Sequence, residues 1–205
     1  FQAYPSLSAI SDQVECVVVA VGSRHVLNTL EEASQQGIKA ALVISAGFAE
    51  AGVEGKDLQN KIKALASDTG LRIAGPNSLG LINVHDKVAM YAASLPDSLR
   101  PGGIGVIVQS GSICAAIAGA NRGLGFSYLI SSGNEADVCA SDYIQFMLKD
   151  ERTTVILGFV EGIKQPDKFI QAADLASDLG KPIILLKVGK TEKSRATTAS
   201  HTGSL

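Results

Sequence analysis

His201 stands in the run Ala199-Ser200-His201-Thr202-Gly203-Ser204-Leu205, among small hydroxyl residues and glycine. Small neighbours let a backbone come close to a phosphate, and a neutral imidazole nitrogen is one of the few side-chain nucleophiles at hand near pH 7. The run suggests a histidine that carries a group, although, taken by itself, a polar stretch at a chain end is the commoner meaning. Glu161 is a carboxylate that suits such a histidine. It follows six mostly apolar residues, 155–160, and should emerge where a strand ends, with limited solvent. There it can hold one imidazole nitrogen and fix the tautomer while the other nitrogen attacks; a solvated loop acid is the plainer reading. Gln109-Ser110-Gly111-Ser112 joins a strand end to a helix start. Backbone N–H groups, the positive end of a helix dipole and two hydroxyls can converge there on an anion, or Ser110 can serve as a simple N-cap. His25 and His85 read as structural or surface residues.

The elements that must position these groups follow one rhythm. Cys16 to Val21 reads as a strand, His25 to Gln36 as a helix stopped by Gly37, Ala40 to Ser45 as a strand, Lys56 to Thr69 as a helix closed by Gly70, and Arg72 to Ala74 as a short strand. Asp86 to Pro101 breaks the rhythm, and Pro96 with Pro101-Gly102-Gly103 is the best linker candidate. This divides the chain into residues 1–97 and 98–205. Beyond it, Ile104 to Val108, Tyr128 to Ser131, Thr154 to Val160 and Pro182 to Val188 read as strands. Ile113 to Arg122, Ser141 to Lys149 and Pro166 to Leu179 read as the helices between them. Apolar strands alternating with amphipathic helices predict α/β architecture in two doubly wound parallel-sheet units. In such sheets ligands bind at the carboxyl ends of the strands, where the candidate residues fall.

Composition narrows the function classes. A chain of 205 residues with 46% hydrophobic and 19% charged residues can bury a sizeable core. The net charge of −2 offers no basic field for nucleic acid, and no apolar run approaches the ~20 residues that a membrane helix needs. The expectation is a cytoplasmic protein bound to neither. Cys16, Cys114 and Cys139 lack metal-ligand spacing and read as buried small hydrophobes, so no metal site is expected. Gly189-Lys190-Thr191 is not the end of a phosphate-binding P-loop, because the required earlier glycine falls at Ile184. Phe1 in place of an initiator methionine suggests a piece of a longer polypeptide.

Six segments occur in one order: Ser45-Ala46-Gly47-Phe48-Ala49-Glu50, Gly75-Pro76-Asn77-Ser78-Leu79-Gly80, Gln109-Ser110-Gly111-Ser112, Gly133-Asn134-Glu135-Ala136-Asp137, Glu161-Gly162 and Ser200-His201-Thr202-Gly203. Each is weak alone, but together and in register they closely resemble the NDP-forming acyl-CoA synthetases, relatives of the succinyl-CoA synthetase α subunit. The resemblance runs from about Tyr4 to the end. It implies a partial CoA-binding Rossmann-like domain followed by a flavodoxin-like ligase domain. It also implies that His201 is transiently phosphorylated, that Glu161 orients it, and that Ser110, Gly111 and Ser112 receive the phosphohistidine. Gly22, Ser23, Ser45, Ala46, Gly47 and Asn77 would surround the CoA arm and thiol, with the acid substrate near Asn77, Gly111 and Asn134.

The implied reaction is a carboxylic acid plus CoA and ATP giving acyl-CoA, ADP and phosphate, through acyl phosphate and phospho-His201. Family members begin their CoA domain with a Gly-rich strand-turn-helix upstream of anything in this sequence. A separate ATP-grasp domain or subunit binds ATP/ADP with Mg²⁺. Neither is present here, so the resemblance implies a partner region and an oligomer. Related lysine acyltransferases carry this architecture as a CoA-binding regulatory module without ligase activity, commonly lacking the histidine. Retention of His201 with Glu161 favours the enzyme.

Overall fold

The computed structural model describes residues 2–120 and 122–188. Its first unit is built from short β-branched runs separated by amphipathic helices: β1 (Cys16–Val19), α1 (Ser23–Gln35), β2 (Ala40–Val43), α2 (Val53–Thr69) and β3 (Arg72–Ala74). The three strands are parallel in the order β1-β2-β3. Alternation along β1 turns Val17 and Val19 inward, where they join Val26 and Leu30 of α1, Ile62 of α2 and Ile73 of β3. Gly70 ends α2 in the left-handed conformation, φ 76°, with its N–H donating to the Ala66 carbonyl. Cys114 and Cys139 are buried as expected, but Cys16 is exposed, because it lies on the outward-facing side of the edge strand β1.

The second unit is a six-stranded sheet formed by β4 (Gly80–Asn83), β5 (Val88–Tyr91), β6 (Arg100–Val108), β7 (Gly125–Ser131), β8 (Val155–Val160) and β9 (Ile183–Lys187), in the order β5-β4-β7-β6-β8-β9. Strands β7, β6, β8 and β9 are parallel. Helix α3 (Gly111–Gly119) supplies Cys114 and Ala118 to the core on one face. Helices α4 (Ala140–Lys149) and α5 (Pro166–Asp178) supply Ile144, Met147, Leu148 and Ala172 to the core on the other. Val106, Ile107 and Val108 at the centre are all buried, which is why β6 reads as an unbroken apolar run.

Val88 to Tyr91, expected as part of an irregular stretch, is instead a strand, antiparallel to β4, which is itself antiparallel to β7. Its turn carries no Asn-Gly signal. Asn83 makes the turn by accepting from the Asp86 N–H at 3.2 Å and donating to the Asp86 carboxylate at 2.7 Å, while Lys87 takes φ 54°. Gly80 admits the hairpin, since a Cβ there would lie 1.9 Å from the Met90 carbonyl oxygen.

The two sheets are joined along a seam. Backbone N–H groups of Asn134, Ala136 and Val138 donate to the carbonyls of Pro76, Gly75 and Ile73 at 2.8, 2.9 and 3.1 Å. Arg72 pairs with Asp137 at 2.9 Å across the same seam. The carboxyl ends of the parallel strands of both sheets thereby adjoin.

Candidate functional site

Around the first sheet, the loop after β1 ends in Gly22-Ser23, the loop after β2 is Ser45-Ala46-Gly47, and the loop after β3 contains Asn77. All six residues share one carboxyl edge. Ser45 Oγ donates to the Val21 carbonyl at 2.5 Å, and the Asn77 N–H donates to the Ser45 carbonyl at 2.9 Å, linking the three loops in series. Gly47 sits at φ 100° against Ser23, whose Oγ lies 2.8 Å from where a Cβ would be. No larger residue fits that contact without displacing Ser23.

Ser110 occupies the N-cap position of α3 but makes no side-chain capping bond; its Oγ instead meets Ser112 Oγ at 3.0 Å. The hydroxyl pair and the helix start border a cleft of about 300 Å³ lined by Ile44, Asn77, Ser78 and Leu79 opposite Gln109 to Ser112. Gly111 lets Leu79 cross the helix start, because a Cβ would approach Leu79 Cγ to 2.7 Å. The partial positive charge of a helix N-terminus and an open cleft suit an anionic group.

Strands β6 and β8 are neighbours, so Ser110 and Glu161 leave adjacent strand ends. The link between them is Gln109, which is buried. Its Oε1 accepts from the Glu161 N–H at 2.6 Å and the Gly162 N–H at 3.1 Å, and its Nε2 donates to the Gly162 carbonyl at 2.8 Å and to Glu135 Oε1 at 2.9 Å. Lys187 on β9 donates to the Glu161 carbonyl at 2.6 Å. Glu135 is itself buried, held at φ 55°, and its Oε1 also accepts from Ser132 Oγ at 2.7 Å. Burial pushes the Glu135 carboxyl above the ordinary glutamate range, against the opposing hydrogen bonds from Ser132 and Gln109.

Asn77 and Asn134 also come together. Asn77 Nδ2 donates to Asn134 Oδ1 at 3.2 Å, while Asn134 Nδ2 donates to the Glu50 carboxylate and to Gln59 Oε1, the latter at 2.9 Å. Both amide protons of Asn134 are thereby used within the protein. Glu50 further accepts from the Gly47 and Phe48 N–H groups at 2.6 and 3.1 Å. Burial works to raise the Glu50 pKa, but the bonds from Asn134, Gly47 and Phe48 outweigh it and hold the carboxylate below its ordinary range.

His201 lies outside the described residues. His25 accepts a bond from its neighbour Arg24 at 3.0 Å on the exposed start of α1, and His85 bonds the Gly102 carbonyl at 3.0 Å, so both have local structural partners. Among the described residues no cluster of His, Cys, Asp or Glu fits a metal ion, and no helix is long and apolar enough to cross a membrane. Reading motifs by residue type left Gln109 and Glu50 without roles, although each stands inside a quoted segment. Their signal is a polar side chain directly after a buried strand or inside a glycine-bearing loop, where backbone N–H groups need acceptors.

Comparison with known proteins matches residues 101–205 to the succinyl-CoA ligase like flavodoxin domain and residues 1–84 to a CoA binding domain. The α subunit of acetate–CoA ligase (ADP-forming) I from Pyrococcus furiosus is 37% identical over 207 residues, covering 100% of this chain and 44% of the relative. Trans-feruloyl-CoA synthase from an unknown prokaryotic organism is 36% identical over 207 residues, covering 98% of this chain and 29% of the relative. Among solved structures, the dinucleotide forming acetyl-coenzyme A synthetase 1 of Ca. Korarchaeum cryptofilum, in complex with phosphate and ADP, superposes with a TM-score of 0.88 at 34% identity. It covers 100% of this chain and 44% of the neighbour. The chain thus spans less than half the length of these relatives.

Proposed function

This chain belongs to the NDP-forming acyl-CoA synthetase family, related to the succinyl-CoA synthetase α subunit, and on that premise we propose that the protein containing it joins a carboxylic acid to CoA while ATP becomes ADP and phosphate. The observation that carries this reading is the convergence at one edge of Glu161, the Ser110 to Ser112 helix start and Asn77, next to the Gly22, Ser23 and Ser45 to Gly47 loops.

Three steps follow in these roles. A ring nitrogen of His201 takes the γ-phosphoryl group of ATP and releases ADP. Glu161 holds the other nitrogen and stabilises the positive charge that develops on the ring. At the α3 start, Ser110, Gly111 and Ser112 receive the phosphoryl group, and an oxygen of the acid substrate attacks phosphorus as the P–N bond breaks. The CoA thiolate then attacks the acyl carbon, the C–O bond breaks, and phosphate leaves. Gly22, Ser23, Ser45, Ala46, Gly47 and Asn77 hold CoA. The acid lies near Asn77 and Gly111, with Asn134 fixing the Asn77 amide.

The described residues form an anion cleft and the loops given above to CoA, and among them no group of three or more His, Cys, Asp or Glu residues gathers as a metal cluster. Following the family resemblance, we assign nucleotide and Mg²⁺ to an ATP-grasp domain or partner subunit, in an oligomeric assembly. We take the domain limits as 1–97 and 98–205, the first segment then lending its β4-β5 hairpin to the second sheet. We assign the protein to the cytoplasm, where CoA and ATP are at hand. A regulatory module without ligase activity has no support among the relatives, which are ligases and synthases by name. The test is sustained ADP release by the full-length protein over many turnovers, beyond the single equivalent that phosphorylation of His201 gives: it should require both CoA and a carboxylic acid. Release that ignores either one overturns the reading.

A further inference from the structure

We propose that Gln109 is the positioning residue for Glu161, setting the height and direction of that carboxylate at the phosphoryl site. The proposal rests on the role given to Glu161 above.

Three features support it. First, the Gln109 amide makes four hydrogen bonds to three residues. One oxygen accepts from consecutive N–H groups, Glu161 at 2.6 Å and Gly162 at 3.1 Å, and the nitrogen donates to the Gly162 carbonyl at 2.8 Å and to Glu135 at 2.9 Å. The opposite amide orientation would set N–H against N–H and oxygen against oxygen, so the assignment is fixed by the network. Second, the side chain comes from the last residue before the Ser110 turn. The segment that grips Glu161 is therefore continuous with the segment that would bind the anion, and the two cannot drift independently. Third, Gln109 is itself anchored. Glu135 meets it at the end of a loop tied to Ser132, with a non-glycine residue kept at φ 55°. A left-handed conformation is unfavourable at such a residue, and the surrounding bonds must offset it. Gln109 touches the backbone of Glu161 rather than any reacting atom, so it acts through Glu161.

The experiment is a double-mutant cycle in the full-length protein, measuring the single-turnover rate of His201 phosphorylation from labelled ATP. Gln109→Met removes all four bonds. Gln109→Glu keeps an acceptor for the two N–H groups but turns an oxygen toward Glu135 and the Gly162 carbonyl. Either change should slow phosphorylation by about 10- to 100-fold, as loss of groups that orient a reactive residue commonly does. The KM for CoA should stay unchanged. In a Glu161→Gln background the same changes should cost less than about threefold, because residues acting as a unit are non-additive. Equal losses in both backgrounds, or a normal rate in the Gln109 variants, overturn the proposal alone. Loss of folding in both Gln109 variants assigns the residue to structure and also overturns it. Normal phosphorylation in Glu161→Gln by itself overturns the underlying reading of Glu161 and the proposal with it.

Discussion

Asn134 donates a hydrogen bond to Glu50 across 84 positions of sequence, and with its carbonyl it accepts from Asn77. The loop after β2, the loop after β3 and the loop after β7 are thus pinned by one amide. In the proposed reaction the first two loops hold CoA and the acid and the third fixes the Asn77 amide, so the amide keeps thiol and acyl group in register.

Glu50 should matter for stability in a pH-dependent way. It accepts two N–H groups and the Asn134 amide, and hydrogen bonds to a charged group contribute about 1.5–3 kcal/mol each. Glu50→Gln should therefore be less stable than wild type at neutral pH. Because the folded pKa lies below the ordinary 4.5, that advantage is full above the ordinary value and is lost as pH falls through the folded one. Urea unfolding of both proteins should show the gap closing as acid is added. A gap that is constant with pH would contradict the account.

Asn77 combines an unusual backbone with a functional amide. Its φ of 55° is tolerated by Asn and Gly. Asn77→Gly should keep the fold, lose only the stability that its one bond to Asn134 gives, and raise the KM for the acid by roughly tenfold, the cost of about one hydrogen bond. Asn77→Val should lose more stability still, since a β-branched residue resists that conformation. Steady-state kinetics beside thermal unfolding separates the two effects.

Gly111→Ala should displace Leu79, whose Cγ would lie 2.7 Å from the new methyl group, and so disturb the helix start. Transfer of the phosphoryl group from phospho-His201 to the acid should slow by about 10- to 100-fold, the scale of a misplacement near 1 Å. Leu79→Ala in the same chain should restore much of the rate by making room. Failure of that second change to help would mean that Gly111 acts for another reason.

Much of this arrangement was legible in residue order. The strand-helix rhythm was readable because parallel strands are apolar throughout and their helices end at glycines such as Gly37 and Gly70. The β4-β5 hairpin was hidden, since its turn is made by an Asn83–Asp86 side-chain bond rather than by a glycine turn. The exposure of Cys16 was hidden too, because a β-branched run does not say which strand is the sheet edge. At the site, residue types pointed to Glu161 and Ser110, whose chemistry is distinctive. Gln109 and Glu50 escaped because their partners are backbone N–H groups brought close only by folding.

The most direct measurement is the chemical fate of labelled phosphate. Full-length protein incubated with γ-labelled ATP and Mg²⁺ should acquire an acid-labile, base-stable label, the signature of a phosphorus–nitrogen bond, and His201→Ala should acquire none. Retention of that label by His201→Ala would contradict the account.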